Sequence, residues 1–273
     1  MNALPRVVSA QAVAGFGKCG LGIALPVISS CGAEVCPLPT AVLSANTSFP
    51  RVSLTDISSK FSEWLESWGD IGFEADALCS GFLSSPDQAE PLLEMRRLLN
   101  PKLVLVDPAM ADHGRLYRTC TDAHVAAQRR LIEGCDVTTP NLTELCLLTD
   151  RDYRPDLSPD DIALAAEALG APTVAVTGIE RGEELRVGLY DGDYRELRFK
   201  RLDFSMHGTG DLFASVLIGG LVTGHSPKRS LISAAEFTAF VMEQSRLLPD
   251  FPRRGLCFEP YLHMLSGGVF SSI

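Results

Sequence analysis

The chain has 273 residues, of which 46% are hydrophobic and 21% are charged, and this composition excludes a disordered or collagen-like protein. Lys and Arg number 24 against 34 Asp and Glu, so the formal net charge is −10, which argues against binding to a nucleic-acid backbone. Small anions remain possible ligands, because a few backbone N–H groups can hold a phosphate without net positive charge. The sequence has neither an apolar run of the roughly 18 residues that a membrane helix needs nor the ordered regions of a secretory signal. We therefore expect a cytoplasmic protein with no membrane or nucleic-acid partner.

Short β-rich runs alternate with stretches of helical periodicity along the chain. In chain order, the patterns predict strand 6–9, helix 21–31, strand 33–38, helix 54–68, strand 76–80, helix 86–99, strand 102–106, helix 122–134, strand 136–138, helices 142–148 and 160–169, strand 173–176, a hairpin of strands 185–190 and 194–200, and helices 209–223 and 227–247. This alternation predicts an α/β fold, a three-layer α/β/α sandwich with a mostly parallel central sheet, formed by a single domain over residues 1–273. In such sheets, ligands bind at the carboxyl ends of the strands.

The eight cysteines form no C-x-x-C pair, so the sequence predicts neither a zinc ribbon nor a disulfide framework. We expect each of them to behave as a small buried apolar side chain.

Residues 15–20, GFGKCG, match the G-x-G-x-x-G pattern of dinucleotide-binding turns. Such a site also needs an acidic residue at the end of the second strand, and Glu34 lies at the start of that strand. The first strand is predicted to end well before Gly15, which leaves room for a loop rather than a tight turn. We therefore interpret the segment as a flexible glycine loop or as a loop that covers a small substrate.

Residues 207–215, HGTGDLFAS, lie immediately before a long apolar helix. The backbone N–H groups around Gly208, Thr209 and Gly210 can point at one spot, and the helix N-terminus adds partial positive charge there. This arrangement predicts a cradle for an anion such as a phosphoryl group in transfer. Asp211, in the first helical turn, is either an ordinary N-terminal helix acid or a base that accepts the proton of an attacking hydroxyl.

Polar residues also end two further predicted strands. Asp107 follows the buried strand 102–106, with Asp112 on the loop after it, and Thr177 with Gly178 follows strand 173–176. Polar residues at several consecutive strand ends are more than helix capping requires. Their position favours a site for a nucleotide with Mg²⁺.

The segment 139–144, TPNLTE, connects strand 136–138 to the next helix. Asn141 and Glu144 are three residues apart, so they share a helix face and could form a reciprocal capping pair. Alternatively, the Glu144 carboxylate reaches a Mg²⁺ ion through water, because that ion keeps much of its hydration shell.

Taken together, these motifs resemble the ribokinase-like superfamily and, within it, the pyridoxal kinases. The GTGD of residues 208–211 is similar to the superfamily's anion hole and catalytic base, and the TPNLTE segment to its N-x-x-E magnesium region. The D-P-x-x-x-D spacing of residues 107–112 is similar to a segment near the nucleotide phosphates. Residues 36–44 and 80–82 are similar to vitamin-pocket segments of bacterial pyridoxal and pyridoxamine kinases.

The resemblance implies a ribokinase-like sandwich, ATP as co-substrate, Mg²⁺, often a monovalent cation such as K⁺, and usually a homodimer. It implies that Asp211 is the catalytic base and that the anion hole is formed by Gly208, Thr209 and Gly210. The residues expected at ATP are Asp107, Asp112, Thr139, Asn141 and Thr177, and those expected to place Mg²⁺ through waters are Glu144 and Asp107. The residues expected at the vitamer are Ser9, Phe16, Thr40, Phe82 and Asp211.

The activity that this resemblance implies is phosphorylation of the 5′-hydroxymethyl group of pyridoxal, pyridoxine or pyridoxamine. Hydroxymethylpyrimidine kinases are the closest alternative, although their anion hole usually has Cys at the position of Asp211. A non-catalytic protein that binds vitamer or nucleotide is a second alternative, but binding alone needs no base at that position. Ala45 and Asn46 replace the polar pair ending in His that pyridoxal kinases tend to have, which leaves the preferred vitamer open.

Overall fold

The computed structural model describes residues 3–249, 251 and 253–267. The predicted domain limits, 1 and 273, both lie outside the described residues. The strands are β1 (Arg6–Ala14), β2 (Glu34–Leu43), β3 (Leu54–Asp56), β4 (Ala77–Ser80), β5 (Leu103–Val106), β6 (Ala111–Asp112), β7 (Arg115–Leu116), β8 (Val137–Thr138), β9 (Thr173–Arg181), β10 (Glu184–Tyr190) and β11 (Tyr194–Lys200). The helices are α1 (Leu21–Ser30), α2 (Phe61–Asp70), α3 (Ala89–Leu99), α4 (Asp122–Ile132), α5 (Leu142–Leu148), α6 (Pro159–Ala168), α7 (Thr209–Val222) and α8 (Pro227–Ser245), followed by a 3₁₀ segment, Glu259–Leu265.

In the described part of the chain, nine strands form one sheet in the order β11-β10-β9-β8-β5-β4-β1-β2-β3. The pairs from β2 to β9 are parallel, whereas β3, β10 and β11 add to the two edges as antiparallel strands. The remaining strands, β6 and β7, form a separate two-stranded hairpin. The predicted mostly parallel sheet is therefore confirmed.

Helices cover both faces of this sheet, because the parallel strands alternate apolar side chains between two cores. Val8, Leu78 and Val104 face one core, which is covered by α2 to α6, while Val7, Cys79 and Leu105 face the other, which is covered by α1, α7 and α8. A strand buried on both faces reads as a continuous apolar run, as the LVLV of β5 does. The result is the predicted three-layer sandwich.

The prediction of one helix over residues 54–68 is wrong. Residues 54–56 instead form β3, which pairs with the end of β2, and α2 begins only at Phe61. Asp56 stops the strand, because its carboxylate accepts hydrogen bonds from the backbone N–H and the hydroxyl of Ser58 and so forms a local turn.

The first strand is longer than predicted, and this changes the interpretation of the glycine loop. β1 continues to Ala14, because its pairing with β2 resumes after an irregularity between Gln11 and Val13. Gly15 therefore follows the strand directly, and the expected spacer between strand and glycines does not exist. Among the described residues, no helix is both long enough and apolar enough to cross a membrane.

Candidate active site

Three neighbouring strands bring the predicted polar residues together at one edge of the sheet. Val106, Thr138 and Val174 lie at the same level of β5, β8 and β9. Asp107 follows β5 directly and Thr139 follows β8, so their side chains meet: the Thr139 hydroxyl donates to Asp107 Oδ1 at 2.8 Å. The carboxyl ends of the parallel strands thus form the site that the topology predicts.

Thr177 joins this edge from β9. Its backbone N–H donates to the Pro140 carbonyl at 2.9 Å, and it forms a bridge with Asn141. The strand does not end here as predicted, since β9 continues to Arg181. It bends instead at Gly178, which has φ of +71°, and the bend leaves Thr177 partly exposed at the edge of the site.

Asp107 is a buried carboxyl beside the glycine-rich turn. Its residue is 5% exposed, and a Cβ built on Gly210 would lie 3.8 Å from Asp107 Oδ2. Burial, and to a smaller extent the charge of Asp211, raises the pKa of Asp107 to about 7. The hydrogen bond from Thr139 acts in the opposite direction and lowers this pKa. The predicted neighbourhood of Asp107, Gly210 and Asp211 is therefore present.

The turn before α7 requires glycine at its first position. Gly208 has φ of +87°, and a Cβ there would lie 2.6 Å from Ile23 Cδ1 and 2.7 Å from the Lys18 carbonyl oxygen. Thr209 uses its hydroxyl internally, as a donor to the Met206 carbonyl at 3.3 Å. The predicted anion cradle would therefore consist of backbone N–H groups at the N-terminus of a 14-residue helix.

Asp211 lies in the first turn of α7, and its carboxyl accepts a hydrogen bond from the backbone N–H of Gly20. Burial raises the pKa of Asp211 and outweighs this hydrogen bond, which lowers it. The thiols of Cys19 and Cys79 lie near enough that the Asp211 charge raises their pKa values, although burial is the larger cause for both. Asp211 is therefore a partly exposed residue at the start of α7, near the residues that precede α1 and near Cys79 of β4.

The glycine loop consequently lies beside Asp211, because the Gly20 N–H reaches that carboxyl. Gly20 has φ of +54°, and a Cβ there would collide with the carbonyl oxygen of Ala12. Asn46 holds the other end of the loop, since its side-chain amide donates to the Gly17 carbonyl at 2.8 Å. The loop is thus held at Gly17 and, through a bridge to Val13, at Gly20, while its flexibility and its role as a cover for a small substrate stay predictions.

Glu144 and Asn141 form the reciprocal capping pair that the sequence allowed. Glu144 Oε2 accepts from the Asn141 backbone N–H at 2.9 Å, and Asn141 Oδ1 accepts from the Glu144 backbone N–H at 2.9 Å. The second carboxylate oxygen of Glu144 accepts from the backbone N–H groups of Met110 and Ala111 at 2.9 and 3.3 Å. Glu144 thereby connects α5 to the loop that follows Asp107.

The two buried carboxyls have the chemistry of a site for a hydrated cation. Burial and then the charge of Asp107 raise the pKa of Glu144 to about 8, although backbone hydrogen bonds lower it. A nearby cation would favour the ionised form of both carboxyls. Within residues 3–249, 251 and 253–267, no three His, Cys, Asp or Glu side chains form a cluster that could hold a metal directly. Two carboxylates plus waters and phosphate oxygens are what Mg²⁺ usually takes, so the residues fit that ion.

The β6–β7 hairpin contributes one predicted residue and one that sequence reasoning missed. Asp112 is half exposed in β6, and its charge acts on His207, directly before the glycine turn. Tyr117 follows β7, and burial and then the charges of Glu144, Asp112, Asp107 and Asp211 raise its pKa. Tyr117 is therefore close enough for all four acids to act on it, but no motif or spacing marked it as a candidate.

The residues predicted at the vitamer differ in exposure and in their neighbours. Thr40 and Phe82 are neighbours, since the Thr40 hydroxyl lies 3.5 Å from the Phe82 carbonyl oxygen, and Thr40 is fully buried. Phe16 is 52% exposed, and its ring packs on Phe49 with centroids 5.6 Å apart. Ser9 is 0% exposed and pairs with Pro37 inside the sheet. Its hydroxyl has no hydrogen-bond partner among the described residues, so its assignment as a substrate contact stays a prediction.

A cleft of about 1000 Å³ lies near the β6–β7 hairpin, the end of β9 and the end of α8. It lies between the segments that follow Asp112, Thr177 and β11. Six of the residues that line it are His113, Glu180, Gly182, Arg201, Phe204 and Arg246.

Comparison with known proteins decides the family. The phosphomethylpyrimidine kinase family model matches residues 20–248. The chain belongs to this family. Among its relatives, the pyridoxine/pyridoxal/pyridoxamine kinase of Bordetella avium is 30% identical over 259 residues, which cover 88% of this chain and 86% of the relative.

Solved structures agree with this family assignment. A phosphomethylpyrimidine kinase homologue from Bacteroides thetaiotaomicron, in a crystal form with pyridoxal, has 30% identity and a TM-score of 0.92, with 96% of each chain covered. The pyridoxal kinase of Lactobacillus plantarum has 27% identity and a TM-score of 0.90, covering 96% of this chain and 97% of that one. The resemblance to pyridoxal kinases and the ribokinase-like fold inferred from the sequence are both confirmed.

Proposed function

We propose that this family member transfers the γ-phosphoryl group of ATP to the 5′-hydroxymethyl group of a B6 vitamer. The observation that carries the proposal is the Asp211 carboxyl, which is held by the Gly20 N–H beside the turn of Gly208 and Gly210. The similar proteins support the two substrates: pyridoxal is present with the Bacteroides homologue, and a Leishmania donovani pyridoxal kinase was solved with ADP and pyridoxamine.

In this mechanism Asp211 accepts the proton of the vitamer's hydroxyl as its oxygen attacks the γ-phosphorus. The bond between that phosphorus and the β–γ bridging oxygen breaks, and ADP leaves with the bond's electron pair. The backbone N–H groups around Gly208, Thr209 and Gly210, with the N-terminus of α7, stabilise the charge on the phosphoryl oxygens. Catalysis of this kind depends mainly on position and charge stabilisation.

Asp107 and Glu144 would hold Mg²⁺ through water molecules, and the ion would neutralise charge on the nucleotide phosphates when bound. Asp112, Asn141 and Thr177 stand along the same edge and would contact the phosphates. The cleft beyond them has room for the nucleoside. Thr139 acts on Asp107, because its hydroxyl donates to that carboxyl.

The vitamer would lie on the other side of Asp211, near Phe82 and Thr40. A flat pyridine ring needs an apolar face, which Phe82 offers. We also propose a cytoplasmic homodimer, since the edge strand β3 and its neighbour β2 leave Leu54 and Val42 exposed by 39% and 48%, and apolar edge strands are usually covered.

A second candidate function is phosphorylation of hydroxymethylpyrimidine, which the description of the family model favours. The acid at position 211 favours the vitamers, because the resemblance places Cys there in hydroxymethylpyrimidine kinases.

An ADP-coupled assay with pyridoxal, pyridoxine, pyridoxamine and hydroxymethylpyrimidine, run with the wild type, separates these functions. We expect kcat/KM to be highest for one of the three vitamers. Preference for hydroxymethylpyrimidine would establish the second candidate. Binding of vitamer and ATP without ADP release would identify a non-catalytic binding protein.

A further inference from the structure

Lys18, in the middle of the glycine loop, connects that loop to the C-terminal segment. Its Nζ donates to the Leu256 carbonyl at 2.8 Å and to Glu259 Oε2 at 2.7 Å. The same ammonium group lies 5.0 Å from the centroid of the Phe258 ring, within the range of a cation–π contact. One side chain thus makes three separate contacts with residues that are far away in the sequence.

The backbone of Lys18 lies against the anion cradle. A Cβ built on Gly208 would stand 2.7 Å from the Lys18 carbonyl oxygen, so the two backbones are in close contact. On its other side, a Cβ built on Gly255 would lie 3.4 Å from the Lys18 nitrogen. Lys18 is therefore packed between the C-terminal segment and the turn that opens α7.

The partners of Lys18 are fixed parts of the molecule. Leu256 and Phe258 are 0% and 1% exposed and belong to the core between α1, α7 and α8. Two residues after Lys18, Gly20 donates its N–H to the Asp211 carboxyl. A displacement of Lys18 would therefore move both the donor to Asp211 and the surface against which Gly208 packs.

We propose that Lys18 is a positioning residue for phosphoryl transfer, which fixes the glycine loop to the C-terminal segment so that the Gly20 N–H and the Gly208 turn keep their places around Asp211. The proposal rests on the kinase function given above. It assigns to residues 255–259 a part in the reaction, although none of them lies at the strand ends where the substrates would bind.

Four variants test the proposal: Lys18→Met, Lys18→Arg, Glu259→Gln and, as a matched control, Lys60→Met. Lys60 forms an exposed pair with Glu63 at the start of α2, so its replacement is expected to leave kcat unchanged. Lys18→Met should lower kcat about tenfold or more, since a misplaced reacting group is costly, with KM for ATP within about twofold of the wild type. Lys18→Arg should restore most of kcat, because the longer cation can reach the same carbonyl and carboxylate.

Glu259→Gln should have a smaller effect than Lys18→Met, because Lys18 keeps its contacts with Leu256 and Phe258. The double variant, Lys18→Met with Glu259→Gln, should have a kcat no lower than that of Lys18→Met alone, since both changes act on one contact. An unchanged kcat for Lys18→Met would overturn the proposal. It would also be overturned if the loss of kcat in the double variant equalled the product of the losses in the two single variants.

Hydrogen exchange separates this proposal from the function on which it rests. In the ligand-free protein, peptides covering residues 15–20 should take up deuterium faster in Lys18→Met than in the wild type, while Lys60→Met should match the wild type. This readout needs no activity, so it remains decisive if the wild type phosphorylates none of the tested substrates. Unchanged exchange in the glycine loop would show that Lys18 does not hold it.

Discussion

Asp211 becomes suited to accept a proton through its surroundings. At the N-terminus of an exposed helix, a carboxyl would have its pKa lowered by the partial positive charge there. Here burial raises the pKa of Asp211, and the Gly20 N–H limits the increase by stabilising the charged form. A carboxylate with a raised pKa accepts a proton more readily than an ordinary aspartate does.

Asp211→Asn should lower kcat by about 100-fold or more, the usual scale for loss of a general base, while ATP affinity and melting temperature stay near the wild-type values. The amide keeps the shape of the side chain and an oxygen to accept from Gly20, but it cannot take the proton. Steady-state kinetics measure kcat, and calorimetric titration measures the affinity for ATP. Asp70→Asn, at the exposed end of α2, is the control. Near-normal turnover of Asp211→Asn would make Asp211 an ordinary helix-terminal acid.

Phe82→Ala should raise KM for the vitamer about tenfold, while KM for ATP should change little, because the ring would touch one substrate only. Phe16→Ala should have a smaller effect, because that ring packs on Phe49 and is half exposed. Initial rates measured against each substrate in turn provide the comparison. Equal increases of both KM values for Phe82→Ala would show that this ring belongs to the core.

For helices and strands, the sequence predicts the features that depend on contacts between residues close together in the chain. Asn141 and Glu144 cap α5 as their spacing indicates. The predictions are wrong where the structure depends on contacts between residues far apart in the chain. Leu54 fits a helical spacing with later apolar residues, but pairing with β2 makes it part of a strand.

The candidate site shows the same division. Asp107, Asp211 and the glycines could be found because strand ends and helix starts leave signals in the sequence. The position of Ser9 inside the sheet depends instead on how far β1 continues, and the closeness of Gly20 to Asp211 depends on the packing of α1 against α7. Neither the pairing length nor the helix packing is visible in a single sequence.

The two ends of α7 provide a matched pair of glycines. Gly208 before the helix and Gly224 after it both have positive φ, +87° and +94°, but only Gly208 is crowded, since nothing lies within 4 Å of a Cβ on Gly224. Gly224→Ala should cost only about 1–2 kcal/mol of unfolding free energy, the cost of a left-handed conformation, with kcat unchanged.

Gly208→Ala should destabilise the protein further and lower kcat by about 100-fold, the scale for loss of one N–H donor to a transition state. Chemical denaturation and kinetics on both variants measure the two effects. If Gly208→Ala and Gly224→Ala retained the same kcat, the turn before α7 would not be part of the reaction centre.

For the whole molecule, the site concentrates negative charge inside a protein that is already acidic. Asp107, Glu144 and Asp211 all have raised pKa values, and burial is the largest cause for each. Ionising these groups in the ligand-free protein therefore works against folding, whereas a bound cation with nucleotide would offset the cost. Substrate binding and stability should consequently depend on each other and on pH.

We expect the melting temperature of the ligand-free protein to fall as pH rises from about 6.5 to 8.5. Asp107 and Glu144 have folded-state pKa values of about 7 and about 8, above their ordinary values of 3.8 and 4.5. The folded protein therefore holds protons that the unfolded chain has already released, and the stability that these protons provide is lost as they dissociate. Buried His124 and exposed His207 have a pKa lowered from the ordinary value of 6.5, and the cysteines have an ordinary value of 9.0. Both kinds of group therefore contribute little in this window.

Mg²⁺ with a non-hydrolysable ATP analogue should stabilise the protein more at pH 8.5 than at pH 6.5, since the cation favours the ionised carboxyls. Thermal melts of the wild type, Asp107→Asn and Glu144→Gln with and without these ligands test the pH dependence and the stabilisation by ligand. Either neutral side chain removes a titrating group and should flatten the dependence of the melting temperature on pH.

Glu144→Gln should also raise the Mg²⁺ concentration needed for half-maximal kcat. A wild-type melting temperature that is constant or rises with pH, or an unchanged Mg²⁺ requirement in Glu144→Gln, would leave Glu144 as a helix cap that holds no cation.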